Sequence, residues 1–255
     1  MARPSPENIR ELLETRVEQS PDKEFLFLES GGRVFTYREF DAETNRAAAM
    51  LLALGVTKGE RVSLYLTNSA EYLIFYFACF KIGAWAGPVN AHLKPQEIEF
   101  VIADSESGTI ITQPDLYENI SEARARVSSL RNVIVIEDGG RWSLVETAQE
   151  SNQRRFGSEG VVPLNAAPIS RNDEAVIIYT SGTTGKPKGV LLTHGNLLAN
   201  AEQIALWLRL TEDDRAYRAR RTIQRLAPLA NDLALRRDVL RLCGDDAIAA
   251  QSHIP

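Results

Sequence analysis

Apolar and polar positions along the first 215 residues switch repeatedly between a helical and an alternating period, and the switches predict a succession of helices and strands. Ile9, Leu12, Leu13 and Val17 fall at helical spacing within Glu7–Gln19. Short strands follow at Phe25–Leu28 and Arg33–Phe35, on either side of a Gly31-Gly32 turn. Thr36-Tyr37-Arg38-Glu39 has the form of a capping box, in which hydroxyl and carboxylate satisfy the free amides of a new helix. That helix is expected to run to about Leu54 and to stop at Gly55 in a left-handed cap.

The alternation continues with a strand at Arg61–Leu66, and a helix opened by Asn68-Ser69, running through Ile82 and ended by Gly83. Within that helix lies the longest apolar run, Tyr72–Phe80, nine residues against the ~20 that a membrane span requires. It reads as a buried helix, its Phe75–Phe80 aromatics and the nearby Trp85 as core, and Cys79 as an inert buried thiol. A strand at Ala84–Val89 comes next, then a helix from Pro95 to about Ala103, with proline in the first turn. A strand at Thr109–Thr112, a helix near Leu116–Ser129 and a strand at Asn132–Ile136 complete the run. Residues 138–171 are rich in Gly, Asn, Ser and Pro and read as loop around a short helix near Ser143–Gln149. Strand-helix alternation of this kind predicts an α/β fold with a largely parallel sheet flanked by helices.

Composition narrows the class. The 255 residues are 44% hydrophobic and 25% charged, the balance of a globular protein, which sets aside disorder, collagen and coiled coil. Cys79 and Cys243 suggest neither a disulfide framework nor a metal clip, and His92, His194 and His253 are scattered, so no metal site is expected. The polar start MARPSPENIRELLETR does not resemble a secretory signal, and the expected setting is the cytoplasm, without an integral membrane segment. Charge is uneven. Residues 216–255 carry seven Arg and four Asp, or +3, so a net charge of −5 leaves −8 on the first 215 residues.

Chemistry concentrates between Asp173 and Leu198. An apolar strand, Ala175–Tyr179, and a second strand from Gly189 to Leu192 enclose Thr180-Ser181-Gly182-Thr183-Thr184-Gly185-Lys186-Pro187-Lys188. Gly182, Gly185 and Gly189 let backbone amides approach a ligand closely, Thr180, Ser181, Thr183 and Thr184 offer hydroxyl donors, and two lysines offer positive charge. Such a set suits a polyphosphate. Two like charges 4 Å apart repel by about 4 kcal/mol at an effective dielectric near 20, so phosphates need this neutralisation. The loop is not a Walker A loop: Pro187 follows Gly185-Lys186, and the chain then enters a strand rather than a helix. His194, after the second strand, is expected to cap or pack the next helix, with Thr193 as N-cap.

YTSGTTGKPKGV (Tyr179–Val190) followed by THGNL (Thr193–Leu197) resembles the AMP-binding signature of the adenylate-forming superfamily, which includes acyl-CoA synthetases, luciferases and the adenylation domains of peptide synthetases. TYREFDAETNRAA, LGVTKGERVSLYLTNSAEYLIFYFACFKIGAWAGPVN and LKPQEIEFVIADS are similar to the amino-terminal half of that family, and the resemblance runs from about Ser20 to Arg215. Asn68-Ser69-Ala70-Glu71 and Gly83-Ala84 fit the acyl-CoA synthetase branch. The resemblance implies the amino-terminal part of an adenylate-forming large domain. It also implies a two-step ligase, in which a carboxylate attacks the α-phosphate of ATP and coenzyme A then takes the acyl group. Thr180, Ser181, Gly182, Thr183, Thr184 and Gly185 would line the β- and γ-phosphates, Lys188 would add charge, Lys186 would face solvent, and Mg2+ would bridge the phosphates. ATP and a carboxylic acid, a fatty acid in the first instance, are the implied substrates.

Several family segments have no counterpart in these 255 residues: the Pro-x-x-His stretch, the aromatic-Gly-x-Thr-Glu segment whose Glu serves magnesium, the ribose-binding Asp, the hinge and the adenylation Lys. No catalytic residue is therefore assigned. The expected organisation is a partial AMP-binding domain over 1–215 and an unrelated Arg/Ala/Leu-rich tail over 216–255. A misread reading frame is the first explanation of that tail, and an amphipathic helix with Leu226, Leu229, Leu233 and Leu240 on one side is the second. Nucleic-acid binding is not expected, because four Asp dilute the tail's charge. An inactive fragment with exposed apolar surface and chaperone dependence is the resulting expectation, and a non-catalytic phosphate-binding module is the alternative.

Overall fold

The structure is a computed structural model that describes residues 5–28, 32–137, 141–147, 154–155, 166–180 and 187–209. Its elements are α1 (Ile9–Gln19), β1 (Glu24–Phe27), β2 (Val34–Thr36), α2 (Tyr37–Ala53), β3 (Arg61–Leu64), α3 (Ala70–Ile82), β4 (Trp85–Pro88) and α4 (Pro95–Asp104). These are followed by β5 (Thr109–Thr112), α5 (Pro114–Arg124), β6 (Asn132–Glu137), β7 (Arg141–Thr147), β8 (Arg154–Arg155), β9 (Glu174–Thr180), β10 (Lys188–Thr193) and α6 (His194–Leu208).

Among the described residues, eight strands form one sheet in the order β10-β9-β4-β3-β5-β6-β7-β8, and β1 and β2 form a separate antiparallel ribbon. The five central strands are parallel. Antiparallel strands close both flanks, β10 on one and β7 with β8 on the other. The α/β class holds, and the sheet is mixed. Helices cover both faces. Leu13 of α1, Phe40 of α2, Phe77 of α3 and Leu198 of α6 share one cluster, while Ile98 and Ile102 of α4 and Ile120 of α5 share the other.

Local chemistry explains the boundaries. The Ser69 side chain accepts from the Tyr72 amide to start α3, and Gly83, at φ +72°, ends it in the left-handed conformation. Thr36 and Glu39 make the expected capping box on α2. Lys81 is buried within α3, and its charge is met by the Asp41 carboxylate of α2 at 2.7 Å. The Cys79 thiol is fully buried, which pushes its pKa up and leaves it unreactive.

Two expectations are corrected. The region near Ser143–Gln149 is not a helix: Arg141–Thr147 is β7, paired antiparallel with β6. Trp142 and Leu144, two residues apart, both enter the core, the period of a strand. Trp142 is sandwiched between the Phe75 ring at 4.9 Å and the Arg46 guanidinium at 3.6 Å, contacts a solvent-facing helix could not supply. Trp85 is only half-buried, with the Arg61 guanidinium over its ring at 4.5 Å, so it covers the core rather than filling it.

A strap of irregular chain, 166–173, leads into β9. Asn8, fully buried at the start of α1, donates to the Ile169 carbonyl at 3.0 Å. Arg10 reaches the carbonyls of Ala167 and Lys81. Lys58 donates to the Pro168 carbonyl at 2.8 Å and pairs with Asp173 at 2.7 Å. This pairing and the Ser170 amide hold the Asp173 carboxyl below the usual carboxylate range.

Candidate phosphate-binding site

The stem of the predicted phosphate loop is the β9–β10 hairpin. Glu174–Thr180 is apolar through its centre and inserts Ala175, Val176 and Ile177 beside β4, which makes it a strand of the main sheet rather than a surface ribbon. β10 lies on its outer side in the register Lys188↔Thr180, Gly189↔Tyr179 and Val190↔Ile178. Thr180 and Lys188 therefore face each other as the last ladder pair, and residues 181–187 connect them. Of the predicted site residues, the structure brings these two together, with Thr180 half-buried and Lys188 exposed. Ser181, Gly182, Thr183, Thr184 and Gly185, together with Lys186, lie outside the described residues.

The position suits an anion. Thr180 ends a strand that runs parallel to β4, so the loop springs from the carboxyl ends of the parallel strands, where open α/β sheets bind their ligands. The hydroxyl of Thr180 and the ammonium of Lys188 are the kinds of donor that a phosphate takes. Among the described residues, no group of three His, Cys, Asp or Glu side chains converges as a metal-ligand set. The described side chains thus include a hydroxyl and an ammonium of the kind a phosphate takes, and no cluster of metal-ligating side chains.

What supports the stem is more informative than its two ends. A Cβ on Gly189 would lie 3.1 Å from Ile177 Cδ1 and 3.2 Å from Tyr179 Cζ, so the Tyr179 ring occupies the room that glycine leaves across the ladder. The Tyr179 hydroxyl donates to Asp104 Oδ2 at 2.6 Å, and its ring meets Phe100 edge-on at 6.5 Å. Burial first, and the Asp104 carboxylate second, push the phenol above its ordinary range, so it remains a proton donor. Neither Tyr179 nor Asp104 was marked as a functional residue by the sequence. They are 75 positions apart, and only folding brings them together.

At the other end of β10 the expected roles hold. Thr193 caps α6 by accepting from the Asn196 amide, and Asn196 returns the bond to Thr193. His194 packs: it is fully buried, meets Phe80 edge-on at 5.6 Å, and its Nδ1 accepts from the Ile9 amide at 3.4 Å. Burial lowers its pKa to about 4, so the imidazole is neutral at physiological pH.

Comparison with known proteins agrees with this geometry. The AMP-binding enzyme family model matches residues 13–241, a span that passes beyond Arg215. The crotonobetaine/carnitine–CoA ligase of Citrobacter koseri is 32% identical over 211 residues, covering 82% of this chain and 40% of that protein. The enzyme of the same name from Escherichia coli is 31% identical over 217 residues. Among solved structures, the N-terminal domain of FACL13 from Mycobacterium tuberculosis superposes with a TM-score of 0.69 at 27% identity, over 93% of this chain and 55% of that one. O-succinylbenzoate coenzyme A synthetase from Bacillus subtilis, solved in complex with AMP, gives 0.68 at 29% identity over 91% and 52%. The chain spans about 40% of the length of the curated relatives it matches. From the matched span, the sheet and the hairpin together, the chain belongs to the AMP-binding enzyme family and has the fold of the N-terminal domain of its acyl-CoA ligases.

Proposed function

We propose that this chain supplies the phosphate-gripping, amino-terminal part of an ATP-dependent acyl-CoA ligase. In the first half-reaction a carboxylate oxygen bonds to the α-phosphorus of ATP and the bond to the β-phosphate breaks, releasing pyrophosphate and leaving an acyl-adenylate. In the second, the sulfur of coenzyme A loses its proton to solvent and bonds to the acyl carbon, the bond from that carbon to the phosphate oxygen breaks, and AMP departs. The contribution of this chain is electrostatic: donors fixed in the loop are aimed at the charge that accumulates on the leaving pyrophosphate. The observation that carries the reading is the direct pairing of Thr180 with Lys188 at the carboxyl end of β9, which places a hydroxyl and a cation at the two feet of a Gly/Ser/Thr loop.

Within that loop, Ser181, Gly182, Thr183, Thr184 and Gly185 would line the β- and γ-phosphates, between Thr180 and Lys188. Mg2+ would arrive with the nucleotide and screen its charge, and the described residues assign it no protein ligand. Coenzyme A and the acid would be held by sequence corresponding to the remaining length of the relatives. A carboxylic acid of the fatty-acid class and a cytoplasmic setting belong to the same reading, without nucleic acid as a partner. The described residues contain no helix long and apolar enough to cross a membrane.

On this reading the 255 residues by themselves bind nucleotide phosphates and do not form an acyl-adenylate. Carboxylate-dependent exchange between ATP and labelled pyrophosphate tests it: exchange at background with a panel of fatty, aromatic and dicarboxylic acids is expected. Exchange above background with any of them overturns the non-catalytic part of the proposal. The second reading, a phosphate-binding module that serves no ligase, shares the same loop. It gains ground if nucleotide binds and a complementing carboxy-terminal ligase half restores no exchange.

A further inference from the structure

The hairpin that carries the loop lies alongside β4 but pairs with it at one register position among the described residues. Among the described residues, β9 pairs with β4 at Ala86↔Val176, three residues short of Tyr179, and on its other side β10 is the edge strand. Upward of that pair, the end of β9 needs a different anchor. Tyr179 provides one: its ring spans the ladder over Gly189, and its hydroxyl reaches Asp104 at 2.6 Å at the end of α4.

The acceptor is itself held in place. α4 closes in a Schellman turn, with the Glu106 amide bonded to the Ala103 carbonyl and the Ser107 amide to the Ile102 carbonyl, both at 3.1 Å. Glu106 takes the left-handed conformation at φ +52°, which side chains adopt only where the surroundings impose it. Two buried hydroxyls fasten this turn to the centre of the sheet. Ser105 and Ser107 lie 2.9 Å apart, and Ser107 lies 2.7 Å from Ser63 of β3. A continuous set of contacts thus runs from β3 through Ser107, Ser105 and Asp104 to Tyr179, and ends one residue before Thr180.

We propose that Tyr179 is a positioning residue for the stem of the hairpin: through its bond to Asp104 it fixes the paired Thr180 and Lys188, so that the Thr180 hydroxyl and the Lys188 ammonium are presented to a phosphate at one separation. A phenylalanine would pack on Gly189 and Phe100 as well as tyrosine does, so packing alone gives the hydroxyl no role. The inference rests on the phosphate-binding reading, deepens it, and adds a residue that touches no phosphate.

The test uses the 255-residue chain with Tyr179→Phe, Asp104→Ala, Asp104→Asn and the Tyr179→Phe/Asp104→Ala double variant. Two readouts are taken, amide hydrogen exchange over residues 177–190 and calorimetric affinity for pyrophosphate. Tyr179→Phe and Asp104→Ala should each weaken pyrophosphate binding about fivefold, the loss expected of one partly exposed charge-assisted hydrogen bond. Both should speed exchange at the stem, the double variant should be no worse than either single one, and Asp104→Asn, which still offers an oxygen acceptor, should recover most of the effect. Tyr179→Phe matching the wild type in exchange overturns the proposal, as does an additive double variant. Wild-type chain that binds no pyrophosphate defeats the phosphate-binding reading instead, and stem exchange then still decides whether Tyr179 anchors the hairpin.

Discussion

His194 follows β10 directly and lies wholly out of solvent, its Nδ1 taking the first amide of α1. Its pKa of about 4 in the fold, against 6.5 when free, makes it a source of acid sensitivity. The neutral imidazole is the folded form, so the unfolded chain gains a proton first as pH falls. Stability is then full above about pH 6.5, declines as pH falls toward 4, and the loss reaches about 3 kcal/mol at most. Thermal melts of the wild type between pH 7 and 5 should fall more steeply than those of His194→Gln, which is neutral throughout; parallel slopes would contradict the assignment. Gly195, the next residue, gives a second expectation. Alanine normally favours a helix, but a Cβ here would stand 2.7 Å from Arg171 Cγ and 3.0 Å from the Arg171 carbonyl oxygen. Gly195→Ala should therefore destabilise by about 1–3 kcal/mol in chemical denaturation, where an open helical site would gain. The packing role of His194 and the cap at Thr193 were legible in THGNL. The lock between Lys58 and Asp173 was not, because the two are far apart in the chain and neither belongs to a local pattern.

Among the elements, those with a chemical start and stop were read most closely. α3 begins at the Ser69 cap and ends at Gly83, and α2 begins at the Thr36 capping box, as their sequences predict. β7 was missed because its identity is settled by what it pairs with. Ser143-Leu144-Val145-Glu146 permits either period, and the decisive term is the ladder to β6 with Trp142 against Phe75. The signal available was Asp138-Gly139-Gly140 between two apolar runs, which favours a hairpin over a helix. The Schellman turn after α4 supplies a test at this scale. Glu106 bears a left-handed backbone at φ +52° that glycine adopts freely, and its side chain is exposed. Glu106→Gly should raise stability by about 1 kcal/mol, seen as a higher denaturation midpoint; a lower midpoint would mean that its 3.7 Å approach to Arg61 outweighs the backbone.

At the scale of the whole molecule, exposed apolar side chains among the described residues gather on β10 and at the end of α6. Val190 and Leu191 of β10 and Leu206, Trp207 and Leu208 at the end of α6 are exposed, Trp207 by 82%. Paired edges and covered helix ends are the usual safeguard against association. The chain should therefore self-associate at micromolar concentration, and a Trp207→Lys/Leu191→Lys variant should run smaller in gel filtration; a wild type that stays monomeric would contradict this. The alternation of strands and helices made the α/β class legible at this scale, whereas the mixed strand directions at the flanks depend on pairings between distant segments.

The proposed function requires that the β9–β10 loop hold the phosphate chain of a nucleotide. Isothermal titration of pyrophosphate into the wild type and Lys188→Ala addresses it without any catalytic turnover. Saturable binding that weakens about tenfold on loss of the Lys188 ammonium, and weakens further with added salt, is the predicted result. Identical titrations for the two chains, or no heat with either, would contradict it.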